Sequence, residues 1–387
     1  MTSASTCTEG IEGRRQQTAT RLVFFISGLG LAAWAPLVPF AKDRLGIGEG
    51  VLGLLLLCLG AGSILAMPVT GPLVTRLGCR RVIVACTGLF CLALPLMAGL
   101  SNIPGLVAAL FLFGIGIGSV DVAMNMQAIV VERASGRSMM SGFHGLFSLG
   151  AIVGAAGMTL MLSLAVSPLE ATFCVVALIV LGLLLAMPNL LTAEGRDDST
   201  SDGPAFALPR GIVIIMGLVC FVSFLSEGAM LDWTAVFLIS NLDVAAAHAG
   251  LGFAAFSVTM TLGRLLGDRV VARLGGPRVV MVGGFLAAAG MLLTVFAPVW
   301  TVALIGCALI GAGCANIVPV MFTSVGRQTV MPEHTAVPAM ATMGYMGVLV
   351  GPAGIGFLAE ATSLSTSFFV LAVMLVGAGL SSRVLRD

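Results

Sequence analysis

Apolar residues run along this chain in blocks of about twenty, interrupted by short clusters of charge, glycine and proline. A helix needs roughly 20 apolar residues to cross the hydrocarbon layer. Blocks of that length predict twelve spans, at about 21–42, 51–75, 81–101, 104–131, 138–165, 168–190, 211–240, 246–268, 278–297, 299–326, 335–360 and 363–382. The narrowest separations, 165/168 and 297/299, are Pro-containing hairpins. Only 10% of the 387 residues are charged, against about 25% in soluble domains. The expected fold class is therefore an all-α integral membrane protein.

The 19 basic residues are 18 Arg and the single Lys42. With both termini inside, sixteen fall in the inner segments, Lys42 and Arg44 fall outside, and Arg264 lies within the eighth span. That asymmetry predicts cytoplasmic termini in an inner membrane. The first 20 residues are polar and no small-residue cleavage site follows the first block, so that span is expected to be retained. The longest polar stretch, Thr192 to Pro209, is rich in Asp, Ser and Gly and predicts a linker. The resulting division is a cytoplasmic tail (1–20), a six-helix bundle (21–190), a linker (191–210), a second six-helix bundle (211–382) and a tail (383–387). One lysine and no basic tract argue against nucleic-acid binding, and Lys42 follows Phe40-Ala41 rather than a glycine-rich phosphate loop. Nine cysteines lie mostly in apolar runs without a C-x-x-C pair or a Cys/His cluster. Neither a disulfide framework, a metal nor a cofactor is expected.

The halves resemble each other. Arg76-Leu77-Gly78 recurs as Arg273-Leu274-Gly275 and Gly150…Gly154…Gly157 as Gly347…Gly351…Gly354, both at an offset of 197; Gly116-Ile-Gly118 with Asp121 aligns with Gly311-Ala-Gly313 and Asn316 at 195. Six spans per repeat make the repeats parallel, an arrangement that puts a substrate site near the midplane between them. The run Gly71-Pro-Leu-Val-Thr75-Arg76-Leu-Gly78-Cys79-Arg80-Arg81 resembles the loop signature of the major facilitator superfamily, with Thr75 where an Asp is usual and Cys79 where an Arg is usual. Gly118-Ser-Val-Asp121-Val-Ala-Met-Asn125, Gly142-Phe-His144 through Gly150, and Glu227 through Trp233 resemble the fucose:proton-symporter-like branch. The resemblance implies two parallel six-helix repeats and a proton-transfer role for Asp121; His144, His248 and His334 are scattered and the sole Lys lies outside, so no enzymatic activity is expected. The branch also has an acid in span 1, which Gly28 to Phe40 lacks. Exporters of the superfamily often carry a Pro in span 5 where this chain has Ala155, which favours uptake over export.

An acid at the centre of a membrane helix costs about 2.5–3.5 kcal/mol on insertion scales. Gly118, Asp121 and Asn125 share one helical face beside a small-residue patch, and a carboxyl there without a basic partner suits a group that takes and releases protons. The alternative is a protonated structural Asp. Glu227 and Asp232 are further proton-coupling candidates and share a face only if Gly228 breaks the helix. His144 is a ligand, a relay or a packing residue. Asn316 precedes Pro319, which would loosen span 10 and free backbone carbonyls. Trp34, Trp233 and Tyr345 are candidate stacking surfaces or interface anchors, and with Asn125, His144 and Asn316 they form the expected substrate-binding set. Arg264 and Asp268, an i, i+4 pair, join Gly71, Arg76, Gly78, Arg80 and Arg81 as the expected inner gate and loop motif.

These features predict a monomeric secondary transporter whose partners are a small, sugar-like solute, protons and the bilayer. Proton symport is favoured, and proton-antiport export of drugs or metabolites is the alternative. Alkaline phosphatase fused after Gly48 is expected to be active in cells and fused after Ser199 inactive; the reverse pattern would overturn the orientation.

Overall fold

The computed structural model describes residues 3–192 and 208–385. Most of the expected linker, with Arg196, and Arg386 in the last tail lie outside the described residues. The described chain is helical: α1 (Ser3–Ala33), α2 (Val38–Leu45), α3 (Glu49–Gly99), α4 (Ile103–Ser135), α5 (Met140–Ser163), α6 (Pro168–Ala186), α7 (Ile212–Leu242), α8 (Ala246–Ala249), α9 (Leu251–Leu274), α10 (Gly276–Val295), α11 (Trp300–Cys314), α12 (Ile317–Val325), α13 (Glu333–Ala361) and α14 (Leu364–Ser381). Ten helical stretches among the described residues are long and apolar enough to cross a membrane. One of them, Leu54–Gly99, holds two spans, because Gly78 breaks α3 at φ 82°, ψ 157°. With α9, whose Arg264, Asp268, Arg269 and Arg273 make it less apolar, the count is twelve.

The breaks follow from local chemistry. α6 starts at a capping box, in which the Ser167 side chain accepts from the Glu170 N–H and Glu170 reaches back to the Ser167 N–H. Pro36 and Pro39 have no N–H to give the carbonyls four residues back, and the first span passes through a 3-10 turn, Ala35–Leu37, between α1 and α2. Beyond it, Arg44 caps the end of α3: its guanidinium donates to the carbonyls of Met97 (2.8 Å), Ala98 and Leu100 (3.0 Å). The basic residue on the sparsely charged side thus satisfies helix-end carbonyls that hydrocarbon cannot.

Two compact units emerge. The first comprises residues 1–137, 146–207 and 332–338; the second 138–145, 208–331 and 339–387. Within each unit the helices meet at glycines, and the meetings repeat. A Cβ on Gly114 would strike the Leu59 carbonyl, and one on Gly311 the Phe256 carbonyl. Gly116 lies against Cys86 and Phe90, Gly313 against Gly283 and Ala287. Gly150 abuts the Phe25 carbonyl and Gly347 the Phe221 carbonyl. Gly78 and Gly275 share one left-handed conformation (φ 82°, ψ 157° and φ 80°, ψ 150°) that side chains disfavour.

Nearly all these pairs stand 197 apart, and this corrects one alignment. Span 4 and span 10 superpose as Gly114 with Gly311 and Gly116 with Gly313, not at an offset of 195. Asn316 is consequently the mate of Ser119 rather than of Asp121. Ser119 accepts a hydrogen bond from Thr70 at 3.1 Å; Asn316 lies against Gly267, the mate of Thr70. In so glycine-rich a chain several near offsets align G-x-G with G-x-G, and only the helix contacts discriminate among them.

Close approach at small residues replaces the hydrophobic drive that lipid cannot supply. Gly114→Ala is expected to lower the thermal midpoint of the purified protein, through overpacking of about 1–3 kcal/mol. Gly157→Ala, where an added methyl meets nothing within 4 Å, should leave it unchanged.

Candidate functional site

In the first unit the polar face belongs to α4. Gly118 lets α3 come close, since a Cβ there would sit 2.7 Å from the Cα of Ser63, and the Ser63 hydroxyl donates to the Gly114 carbonyl at 2.9 Å. Two turns further along, fully buried Asn125 donates through Nδ2 to the Asp121 carbonyl at 2.8 Å and reaches the carboxyl Oδ1 at 3.4 Å. Asp121 has no ion-pair partner among the described residues. Trp34, at the break in the first span, is 5% exposed and its indole N–H meets no acceptor.

In the second unit the shared face expected for Glu227 and Asp232 does not form. α7 runs unbroken from Ile212 to Leu242 through Gly228, so five residues put the two carboxyls about 140° apart. Asp232 is exposed, whereas Glu227 Oε1 accepts from Arg264 Nη2 at 3.1 Å, with Arg264 7% exposed. The hydropathy boundary had put Arg264 near a helix end. α9 continues to Leu274, which sets Arg264 about ten residues, roughly 15 Å, from that end. Arg264 thus engages the acid of a neighbouring helix, and Asp268 accepts through Oδ1 from the Gly142 N–H at 3.0 Å, on the first turn of α5.

The second anchor of Arg264 is readable from Pro319. In a regular helix the Ala315 carbonyl would receive the N–H of residue 319, which proline lacks. Span 10 breaks there between α11 and α12, and Arg264 Nε donates to the Ala315 carbonyl at 3.3 Å. Asn316, at the break, donates through Nδ2 to the Gly263 carbonyl at 3.1 Å, while its Oδ1 is buried without a partner. His144 is 8% exposed, lies 5.6 Å from the Phe322 ring and within electrostatic reach of Arg264. Glu227, Arg264, Asn316 and His144 therefore gather around one interruption of span 10. Tyr345 packs edge-on against Phe224 at 5.8 Å, and Trp233, its N–H without an acceptor, packs beside Gly356.

In the loop motif, Thr75 donates to the Pro72 carbonyl at 2.7 Å, Gly78 makes the turn and Arg76 and Arg81 are exposed. The Arg80 N–H donates to the Leu191 carbonyl at 2.8 Å, and Gly71 lies against the His334 backbone. Two pairings had no sequence signal: Arg133 with Glu333 at 2.8 Å, and buried Gln127 donating to Thr20 at 3.0 Å. Partners 200 and 107 residues apart share no local pattern.

The family model described as Major Facilitator Superfamily matches residues 22–240 and 216–386. An uncharacterized MFS-type transporter of Yersinia pestis is 50% identical over 372 residues, covering 96% of each chain. Membrane protein MosC of Rhizobium meliloti is 33% identical over 360 residues, 92% of this chain and 87% of that one. Among solved structures, the major facilitator transporter FucP in its outward conformation superposes with a TM-score of 0.83 at 18% identity, covering 96% and 98% of the two chains. The proton:xylose symporter XylE gives 0.75 at 15% identity, over 96% and 95%.

Removing one partner of a buried ion pair strands the other, at about 3–5 kcal/mol. Arg264→Met should sharply lower the thermal midpoint, and the double variant Glu227→Gln with Arg264→Met should recover the part of the loss that comes from the stranded acid, while the Ala315 carbonyl stays without its donor. Additive losses in the double variant would show that the two side chains do not act as a pair.

Proposed function

The chain belongs to the major facilitator superfamily, and from that premise we propose that it takes up a small, hydroxyl-bearing solute together with a proton across the inner membrane, its termini in the cytoplasm. The observation that carries this reading is Asp121, a carboxyl on a buried helix face whose described neighbour is the neutral Asn125 amide. With no ion-pair partner among the described residues to hold it ionised, such a group exchanges a proton with changing access to water. Glu227 differs: tied to Arg264, it serves the coupling step by releasing or retaking that arginine, and exposed Asp232 serves as an outer proton acceptor.

A hydroxyl-bearing solute suits the polar atoms left without partners. Buried donors and acceptors are normally satisfied. The indole N–H groups of Trp34 and Trp233 need acceptors and Asn316 Oδ1 needs a donor, and a hydroxyl can be either. Asn125, His144 and the ring of Tyr345 complete the solute-contacting set. Asp268 and the loop from Gly71 through Arg76, Gly78, Arg80 and Arg81 take the gating role.

Proteoliposomes with an inward proton gradient test the assignment. Asp121→Asn is expected to abolish concentrative, gradient-driven uptake while leaving solute exchange in place. Concentrative uptake that survives the substitution would remove Asp121 from the coupling step. Gradient-driven movement of solute opposite to the proton would identify an antiport exporter instead.

A further inference from the structure

Apart from the transport residues, the first unit holds a cleft between the N-terminal part of α1 and the C-terminal end of α6. Its volume is about 390 Å³, and Arg14, Arg15, Thr18, Leu22, Leu185 and Asn189 line it. The two helices converge deeper in the bundle. A Cβ on Gly182 would lie 2.6 Å from the Ile26 side chain, and one on Gly30 would lie 3.1 Å from Ile179. That contact closes the bottom of the cleft. On another face of α1, buried Thr20 accepts from Gln127 of α4, so the helix is held in place and the cleft is preformed.

Polarity changes along the cleft. At its mouth are the two guanidiniums, the Thr18 hydroxyl and the Asn189 amide, with no carboxylate among the lining residues. Eight residues along α1, about 12 Å at 1.5 Å per residue, the wall is Leu22 opposite Leu185. Leu185 is exposed, and Leu178, Leu181 and Leu184 continue an exposed apolar strip along α6. The mouth lies on the arginine-rich side, the side expected to face the cytoplasm. A free anion would have use for the arginines but none for the leucine wall; a headgroup with acyl chains uses both.

We propose that this cleft binds an anionic phospholipid of the inner leaflet, its phosphate between Arg14 and Arg15 and its chains along Leu22, Leu185 and the α6 strip. Arginine meets phosphate with two parallel donors, and Asn189 donates to the glycerol or ester oxygens. The inference is independent of the transported solute.

Native mass spectrometry of the purified protein, with added phosphatidylglycerol or phosphatidylcholine, tests it. The wild type is expected to retain phosphatidylglycerol selectively. Arg14→Gln with Arg15→Gln should weaken that retention roughly thirtyfold, from the typical contribution of basic residues near an anionic surface. Arg210→Gln, which removes a cytoplasmic-side arginine outside the cleft, should leave retention unchanged. Thr18→Val with Asn189→Leu keeps both arginines, and hence the topology signal, and should still reduce the amount of phosphatidylglycerol retained. Equal retention of the two lipids, an equal loss in Arg210→Gln, or displacement of the lipid by glycerol 3-phosphate at comparable concentration would overturn the proposal. The last result would identify a soluble-anion site.

Discussion

Hydrocarbon offers no hydrogen-bond partner, so every interruption of a membrane helix must be satisfied from within the protein. That constraint organises the second unit around Arg264. Pro319 removes the N–H that would have met the Ala315 carbonyl, and Arg264 supplies a donor in its place. A cation buried for this purpose must itself be neutralised, and Glu227 is the acid that does so. One proline thus accounts for a backbone break, a buried arginine and a half-buried acid that would otherwise look like three separate exceptions. Arg44 applies the same logic at a membrane-edge helix end, spending its guanidinium on the last carbonyls of α3.

The repeat divides the molecule into a duplicated skeleton and unduplicated chemistry. Glycines at Gly114 and Gly311, Gly116 and Gly313, and Gly150 and Gly347 make equivalent contacts with equivalent neighbours, because helix packing in lipid depends on backbones coming close. At the same offset Asp121 falls opposite Val318, Asn125 opposite Phe322 and Arg264 opposite Met67, and at the offset of 196 that Phe25 and Phe221 set for spans 1 and 7, Glu227 falls opposite Leu31. The polar side chains are therefore absent from the packing solution that both halves share. Their presence on one side only gives the two units different electrostatics: a carboxyl beside a neutral amide in the first, a compensated acid and base in the second.

Much of this was legible in the primary structure because its causes are local or periodic. Blocks of about twenty apolar residues locate the spans, since the hydrocarbon thickness sets helix length. Pro319 announces a break beside Asn316, and Gly78 a turn, because their backbone restrictions act within one or two turns of helix. Asp121 stands out because an acid on a glycine face has few other reasons to be there. The limits of α9 were less legible. Its last two turns carry Asp268, Arg269 and Arg273, so hydropathy ends the helix where polarity begins, although its hydrogen bonds continue to Leu274.

By itself, then, the sequence determined the solvent, the spans, the duplicated halves and the short roster of charges inside the membrane, all of which follow from composition and spacing along one chain. Only the tertiary structure decided how that roster is paired: Arg264 with Glu227, Asp268 with the start of α5, Gln127 with Thr20, and Asn316 in register with Ser119 instead of Asp121. The reason is geometric. Periodicity tells which residues share a face of one helix, but the depth and rotation at which two helices meet are set by where their small residues permit contact, and a charge selects its partner only after that contact is made.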